Sequence, residues 1–232
     1  MFDDPLSYPT RGPWLERTAI GSVLVLGSIL VVPGLILAGY CVRTLAATLE
    51  GRSEPPAFRT WRGLATTGLV ALGITLCYLL APVIAGGALA VAFGVGGYYG
   101  LSGLAPAIGG HETLIWGVSI VAALFAALVS LAVVAFACAL YYALPAALAR
   151  YAETGRFRAA FDRRALVSTV VGREYFLALA VLQVVPLVFL AVAVVSLLTV
   201  VGTLAVPALA FVTALVSCRV VGNAVSTSSP GG

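Results

Sequence analysis

The residues able to do chemistry in this chain are few and far apart. One histidine, His111, follows Gly109-Gly110 and stands beside Glu112. A metal site needs three or four ligands, and there is no second histidine, so this pair reads as a turn between helices. No Gly-x-Ser-x-Gly elbow is present to supply a nucleophile. The four cysteines, Cys41, Cys77, Cys138 and Cys218, lie in or at the end of apolar runs and form no CxxC. They read as small buried hydrophobes. Gly94-x-Gly96 lacks the third glycine of a dinucleotide loop, because Tyr99 stands there and no strand precedes it. All 13 basic residues are arginine. Without lysine there is no Walker-type phosphate loop and no Schiff-base nucleophile. The expectation is a protein that is not an enzyme and that has no cofactor and no metal.

The elements that would position these residues follow from composition. The chain has 232 residues, of which 61% are hydrophobic and 9% charged, with net charge +4 and mean hydropathy +1.09. Soluble domains carry about 45–50% apolar and about 25% charged residues. A soluble enzyme, a disordered chain and a nucleic-acid-binding domain are all excluded, which leaves an integral membrane protein. Charge is absent from residues 18–42, 63–110, 113–149 and 175–218. A spanning helix needs about 20 apolar residues. The second and fourth stretches are long enough for two spans each, with breaks at Pro82 and Gly86-Gly87 and, less decisively, at Gly202 and Pro207. The expected fold is an all-α polytopic transmembrane bundle of six spans, near 18–42, 63–83, 86–106, 114–142, 175–197 and 199–221. It forms a single membrane domain with halves 1–112 and 113–232 and a flexible tail over 222–232. The apolar runs are continuous rather than alternating, which speaks against a β-barrel. Residues 1–17 carry acids and lack a positive n-region, so no cleavable signal peptide is expected.

Arginine counting sets the orientation. Six spans place Arg43, Arg52, Arg59 and Arg62 on one side and the other nine of the 13 arginines on the opposite side, which favours cytoplasmic termini in the cell membrane. A rival arrangement folds 14–50 into a hairpin at Val32-Pro33-Gly34. If 113–154 did the same, every arginine would fall on one side. That second stretch, however, has no Gly or Pro between Gly117 and Pro145 to turn on.

The halves echo each other. Glu50-Gly51-Arg52 followed by Ala57-Phe58-Arg59 and Leu64 parallels Thr154-Gly155-Arg156 followed by Ala160-Phe161-Asp162-Arg163 and Leu166. Three spans per half would make the repeats inverted, as in secondary transporters.

Three groups of candidate residues emerge. Arg59, Trp61 and Arg62, together with Arg156, Phe157, Arg158, Phe161, Arg163 and Arg164, suit a membrane interface in which aromatics embed and guanidinium groups reach anionic headgroups. Gly96 and Gly100 form a GxxxG pair suited to close helix packing. Gln183, three residues before Pro186, is the only amide well inside a span, and with Tyr40 it would line a cavity if one exists. No Asp, Glu or Arg lies centrally in any expected span, where ion-coupled sites usually hold one.

The run Gly39-Tyr40, Arg43, Gly51, Pro55-Pro56-Ala57-Phe58-Arg59-Thr60-Trp61, Gly63-Leu64 and Gly68-Leu69 resembles the signature of an archaeal membrane family, domain of unknown function 4013. Tyr8-Pro9, Trp14-Leu15, Ile20-Gly21 and the later Arg150-Tyr151-Ala152, Gly155-Arg156-Phe157 and Ala160-Phe161-Asp162 resemble it too. The resemblance covers nearly the whole chain. It implies an all-helical polytopic membrane protein of a halophilic archaeon and brings no activity with it. The functional expectation is a non-catalytic membrane component that packs against lipid, against other membrane proteins or against copies of itself, with no nucleic-acid partner. The alternative is a small-solute transporter with inverted repeats.

Overall fold

The computed structural model describes residues 8–108 and 112–228. They form seven α-helices: α1 Trp14–Leu26, α2 Val31–Leu49, α3 Trp61–Ile108, α4 Glu112–Thr154, α5 Arg163–Val170, α6 Arg173–Ser196 and α7 Val200–Ser228. Short 3-10 turns cover Tyr8–Thr10, Gly27–Ile29 and Phe157–Phe161, and there is no strand among the described residues. Five helices are long and apolar enough to cross a bilayer: α2, α3 over Trp61–Gly100, α4 over Trp116–Thr154, α6, and α7 over Ala205–Thr227. The protein is thus an all-α polytopic bundle, but its breaks fall elsewhere than the six-span division expects.

The first stretch is broken. Gly27 caps α1, Ser28 Oγ donates to the Val25 carbonyl at 2.6 Å, and Leu30 is extended with φ −85° and ψ 138° before α2 begins. Pro33 sits in the first turn of α2, where a helix has no use for the missing N–H. The Arg11 guanidinium donates to the Ser53 carbonyl at 3.3 Å, so the chain entering α1 meets the chain leaving α2. The two helices form a hairpin. With 13 residues, α1 rises only about 20 Å, short of the ~30 Å hydrocarbon core.

The second stretch is not broken. α3 runs through Pro82, Gly86 and Gly87, and α4 runs through Pro145. An interior proline removes one helical hydrogen bond. Leaving the helix altogether would expose several unpaired backbone groups, which is worse where no water can satisfy them. In apolar surroundings the helix therefore continues.

The chain divides into two compact units, and neither corresponds to the expected halves. One holds the residues up to Thr75 and from Ala143 onward, and the other holds Leu76–Tyr142. The second unit is a helical hairpin. Phe93 and Phe125 meet edge-on with centroids 5.2 Å apart, and a Cβ on Gly86 would stand 3.0 Å from Val133. The first unit contains every arginine; the second contains none.

In the first unit, α2 and α7 run parallel, with Gly222 set against Leu45 and Thr48. α1 runs antiparallel to α7, its Gly21 lying on the Phe211 ring. α2 and α3 cross at their closest where Gly39 and Gly68 meet. A Cβ on either would fall inside the carbonyl of Leu64 or Leu35. Tyr40, Leu64, Phe211 and Leu215 form the core beside this crossing, with Phe58 packed against them. α7 stays helical to Ser228, with Ala224 and Val225 buried. The flexible tail expected from 222 therefore does not begin there.

The echo between the halves has a local cause. Gly51 and Gly155 follow the ends of α2 and α4 and have φ of +73° and +66°, the left-handed stop that glycine supplies without strain. Beyond it the halves diverge. Residues 57–60 lead directly into α3, whereas 157–161 form a 3-10 turn. Asp162 then caps α5, accepting from Arg164 N and Ala165 N.

Gly39→Ala and Gly68→Ala should each cost about 1–3 kcal/mol or more by forcing the two backbones apart. In a chain of this size that lowers Tm by roughly 2–12 °C in thermal unfolding. Gly96→Ala and Gly100→Ala face open space and should leave Tm unchanged or slightly raised.

Candidate functional site

The site grows from a helix that has to stop. Once α2 ends at Leu49, residues 50–60 must return to α3 with their carbonyls no longer paired along a helix. The surrounding helices supply the donors. Arg219 on α7 donates to the Arg52 carbonyl at 2.8 Å, and Arg11 donates to that of Ser53. Tyr40 donates through its hydroxyl to the Pro56 carbonyl at 2.9 Å. Arg43 donates to the Arg59 carbonyl and to Thr60 Oγ1, both at 3.0 Å. Thr60 has φ 56°, a strained conformation for a β-branched residue, and Arg43 holds it.

Two of these cations lie deep. Arg219 is 5% exposed and Arg17 is 8% exposed. Arg17 donates to the Arg11 carbonyl at 3.0 Å, and the Arg219 guanidinium lies 4.6 Å from the centre of the Tyr8 ring. Tyr8 is itself buried. Burial pushes its hydroxyl above the usual tyrosine range, against the opposing pull of Thr48 and Arg219. The segment Tyr8–Thr10 is thereby seated on the same end of the unit as residues 50–60. The antiparallel α6–α7 pair, joined by a tight turn at 197–199, returns α7 to the level where α6 starts, and α5 packs on both.

All nine interface candidates, Arg59, Trp61, Arg62, Arg156, Phe157, Arg158, Phe161, Arg163 and Arg164, are exposed. The rings of Phe157 and Phe161 meet at 5.2 Å in their 3-10 turn. Arg150 pairs with Glu153 at 2.9 Å and Arg52 with Glu50 at 2.7 Å.

The other candidates are not brought together. Tyr40 is fully buried and spends its hydroxyl on Pro56, while Gln183 is exposed on α6. Neither lines either of two apolar clefts in this unit. One cleft, of about 380 Å³, lies between α2, α3 and α4 and is lined in part by Gly34, Ala38, Leu72 and Leu148. The other, also of about 380 Å³, lies between α6 and α7 around Val185, Phe189 and Val212. Among the described residues Gly96 and Gly100 make no close approach; Gly39 and Gly68 do. Cys77 and Cys138 are exposed rather than buried, because a lipid-facing surface suits a thiol as well as a core does. His111 lies outside the described residues. Among the described residues no three metal-binding side chains cluster.

As structural donors, Arg11, Arg17, Arg43 and Arg219 belong to no motif in the sequence. One signal was present: Arg43 and Arg219 stand directly against apolar runs, where a cation must find acceptors.

These features define a polytopic α-helical membrane protein with an arginine-rich end. The chain matches the family model described as "Protein of unknown function (DUF4013)" over residues 22–201 and belongs to that family. Comparison with curated proteins finds no match, and neither does comparison with solved structures.

Tyr40→Phe removes the donor to Pro56 and should cost about 1–3 kcal/mol. Arg219→Gln should cost at least as much and free the 50–60 segment. Trypsin cuts after arginine, so cleavage at Arg52 and Arg59 should become several-fold faster in Arg219→Gln. An unchanged digestion rate would show that the segment is held by other means.

Proposed function

We propose that the protein is a non-catalytic multi-pass component of the cell membrane whose arginine-rich end binds the anionic headgroups of one leaflet. The observation that carries this reading is the exposure of the nine interface residues in the unit that holds every arginine. A guanidinium matches phosphate oxygens bidentately. Exposed aromatics between such cations embed at headgroup level. Capped by Asp162, α5 presents Arg163 and Arg164 to solvent while Leu166 and Thr169 face inward. The apolar helices beyond offer surface to lipid tails or to neighbouring membrane proteins.

The orientation belongs to the same reading. The α1–α2 hairpin returns the N-terminal segment to residues 50–60, and α3 and α4 each cross once. All arginines then lie on one side, which the positive-inside tendency makes cytoplasmic, with both termini there. Cysteines placed at 52 and 156 should react with an impermeant maleimide from the same, cytoplasmic side. Labelling from opposite sides would restore the six-span division.

Lipid binding is tested by native mass spectrometry of protein released from mixed vesicles of phosphatidylglycerol and phosphatidylcholine. The wild type should retain the anionic lipid preferentially, and Arg163→Gln with Arg164→Gln should reduce that retention several-fold. Equal retention of both lipids by both proteins would sink the reading.

A further inference from the structure

The seam between α2 and α7 carries a feature that lipid binding does not use. Gly222 lets these parallel helices approach closely: a Cβ there would stand 3.3 Å from Leu45 Cδ1 and 2.5 Å from Thr48 Cγ2. One helical turn before Leu45 is Cys41, and one turn before Gly222 is Cys218. The two thiols therefore occupy matching positions on the same close seam. Both line the apolar cleft between α2, α3 and α4. Both are reduced and partly exposed.

Each observation meets a requirement of disulfide chemistry. The bond forms only between backbones that approach closely, with Cα atoms about 4.4–6.8 Å apart, and Gly222, one turn further on, keeps the two helices close. The sulfurs must be accessible to an oxidant, and the cleft opens to them. Its other lining side chains, among them Leu35, Val42, Leu72 and Leu148, are almost all apolar, so the oxidant it admits is a hydrophobic one.

We propose that Cys41 and Cys218 are a redox-active thiol pair that closes to a disulfide stapling α2 to α7, with a lipid-soluble benzoquinone as electron acceptor. Both S–H bonds break and one S–S bond forms. Two electrons and two protons pass to the quinone, which leaves as hydroquinone. A thiol reductant returns the pair by exchange. In a compartment that keeps thiols reduced, such a bridge is transient and belongs to redox sensing rather than to a permanent staple.

The test uses the full chain in lipid nanodiscs, reduced and then exposed to a short-chain benzoquinone. Free thiols are next alkylated under denaturing conditions, and the peptides are mapped by mass spectrometry. The reduced protein should show all 4 thiols alkylated. After oxidation the chain should lose alkylation at Cys41 and Cys218 and yield a peptide joining them. Cys77 and Cys138 serve as the internal reference. Cys41→Ser and Cys218→Ser should each abolish the joined peptide and leave the partner thiol alkylatable. Cys41→Ala gives the same readout where serine disturbs the fold. Full alkylation of Cys41 and Cys218 after quinone treatment would overturn the proposal. So would joined peptides dominated by bridges between separate chains.

Discussion

A carbonyl that leaves a helix beside lipid has to find a donor, and in this protein most of the donors are arginines. Arg219, Arg11 and Arg43, joined by the Tyr40 hydroxyl, take up the backbone of residues 50–60. A charged donor gives a stronger hydrogen bond than a neutral one. The cation in turn finds acceptors that offset its loss of water. Residues 50–60 and the buried arginines therefore depend on each other. Without those residues Arg219 would be a poorly solvated charge, and without Arg219 the Arg52 carbonyl would lose its donor. The seating of the Tyr8–Thr10 turn and the entry into α3 follow from that exchange.

The same logic separates two kinds of arginine. Those that point inward, Arg17 and Arg219, hold the chain to itself. Those that point outward, from Arg59 and Arg62 to Arg163 and Arg164, have their donors available for something else. Composition counts them together. Only their surroundings show that one set organises the end of the unit and the other set is what that end presents.

Helical class and membrane character were legible because they rest on bulk hydrophobicity. The exposure of the nine arginine and aromatic candidates was legible because charged and bulky groups at the edge of an apolar run are seldom buried. The span boundaries were less legible. Pro82 and Gly86-Gly87 carry the breaker signals of water-soluble chains, yet α3 ignores them, because leaving a helix costs more where water is absent. Gly27 carries the same signal and does end a helix, with Pro33 in the first turn of the next, since there the chain can double back and α1 finds α7 to pack on. Glycine shows a further limit. Gly96 and Gly100 have the expected spacing and meet nothing among the described residues, while Gly39 and Gly68, on different helices, meet each other. Spacing along one helix cannot report a partner that comes from another.

The second unit has a consequence for the membrane itself. Its arm over residues 76–108 belongs to one unbroken helix and measures about 50 Å at 1.5 Å per residue. Set upright in a hydrocarbon core of about 30 Å, it would leave roughly 20 Å of helix rich in glycine, alanine and leucine in headgroups and water. Hydrophobic mismatch of that size is relieved by leaning the helix or by thickening the bilayer around it. Both responses draw on the elasticity of the lipid, so membrane thickness is part of what determines where this hairpin is comfortable.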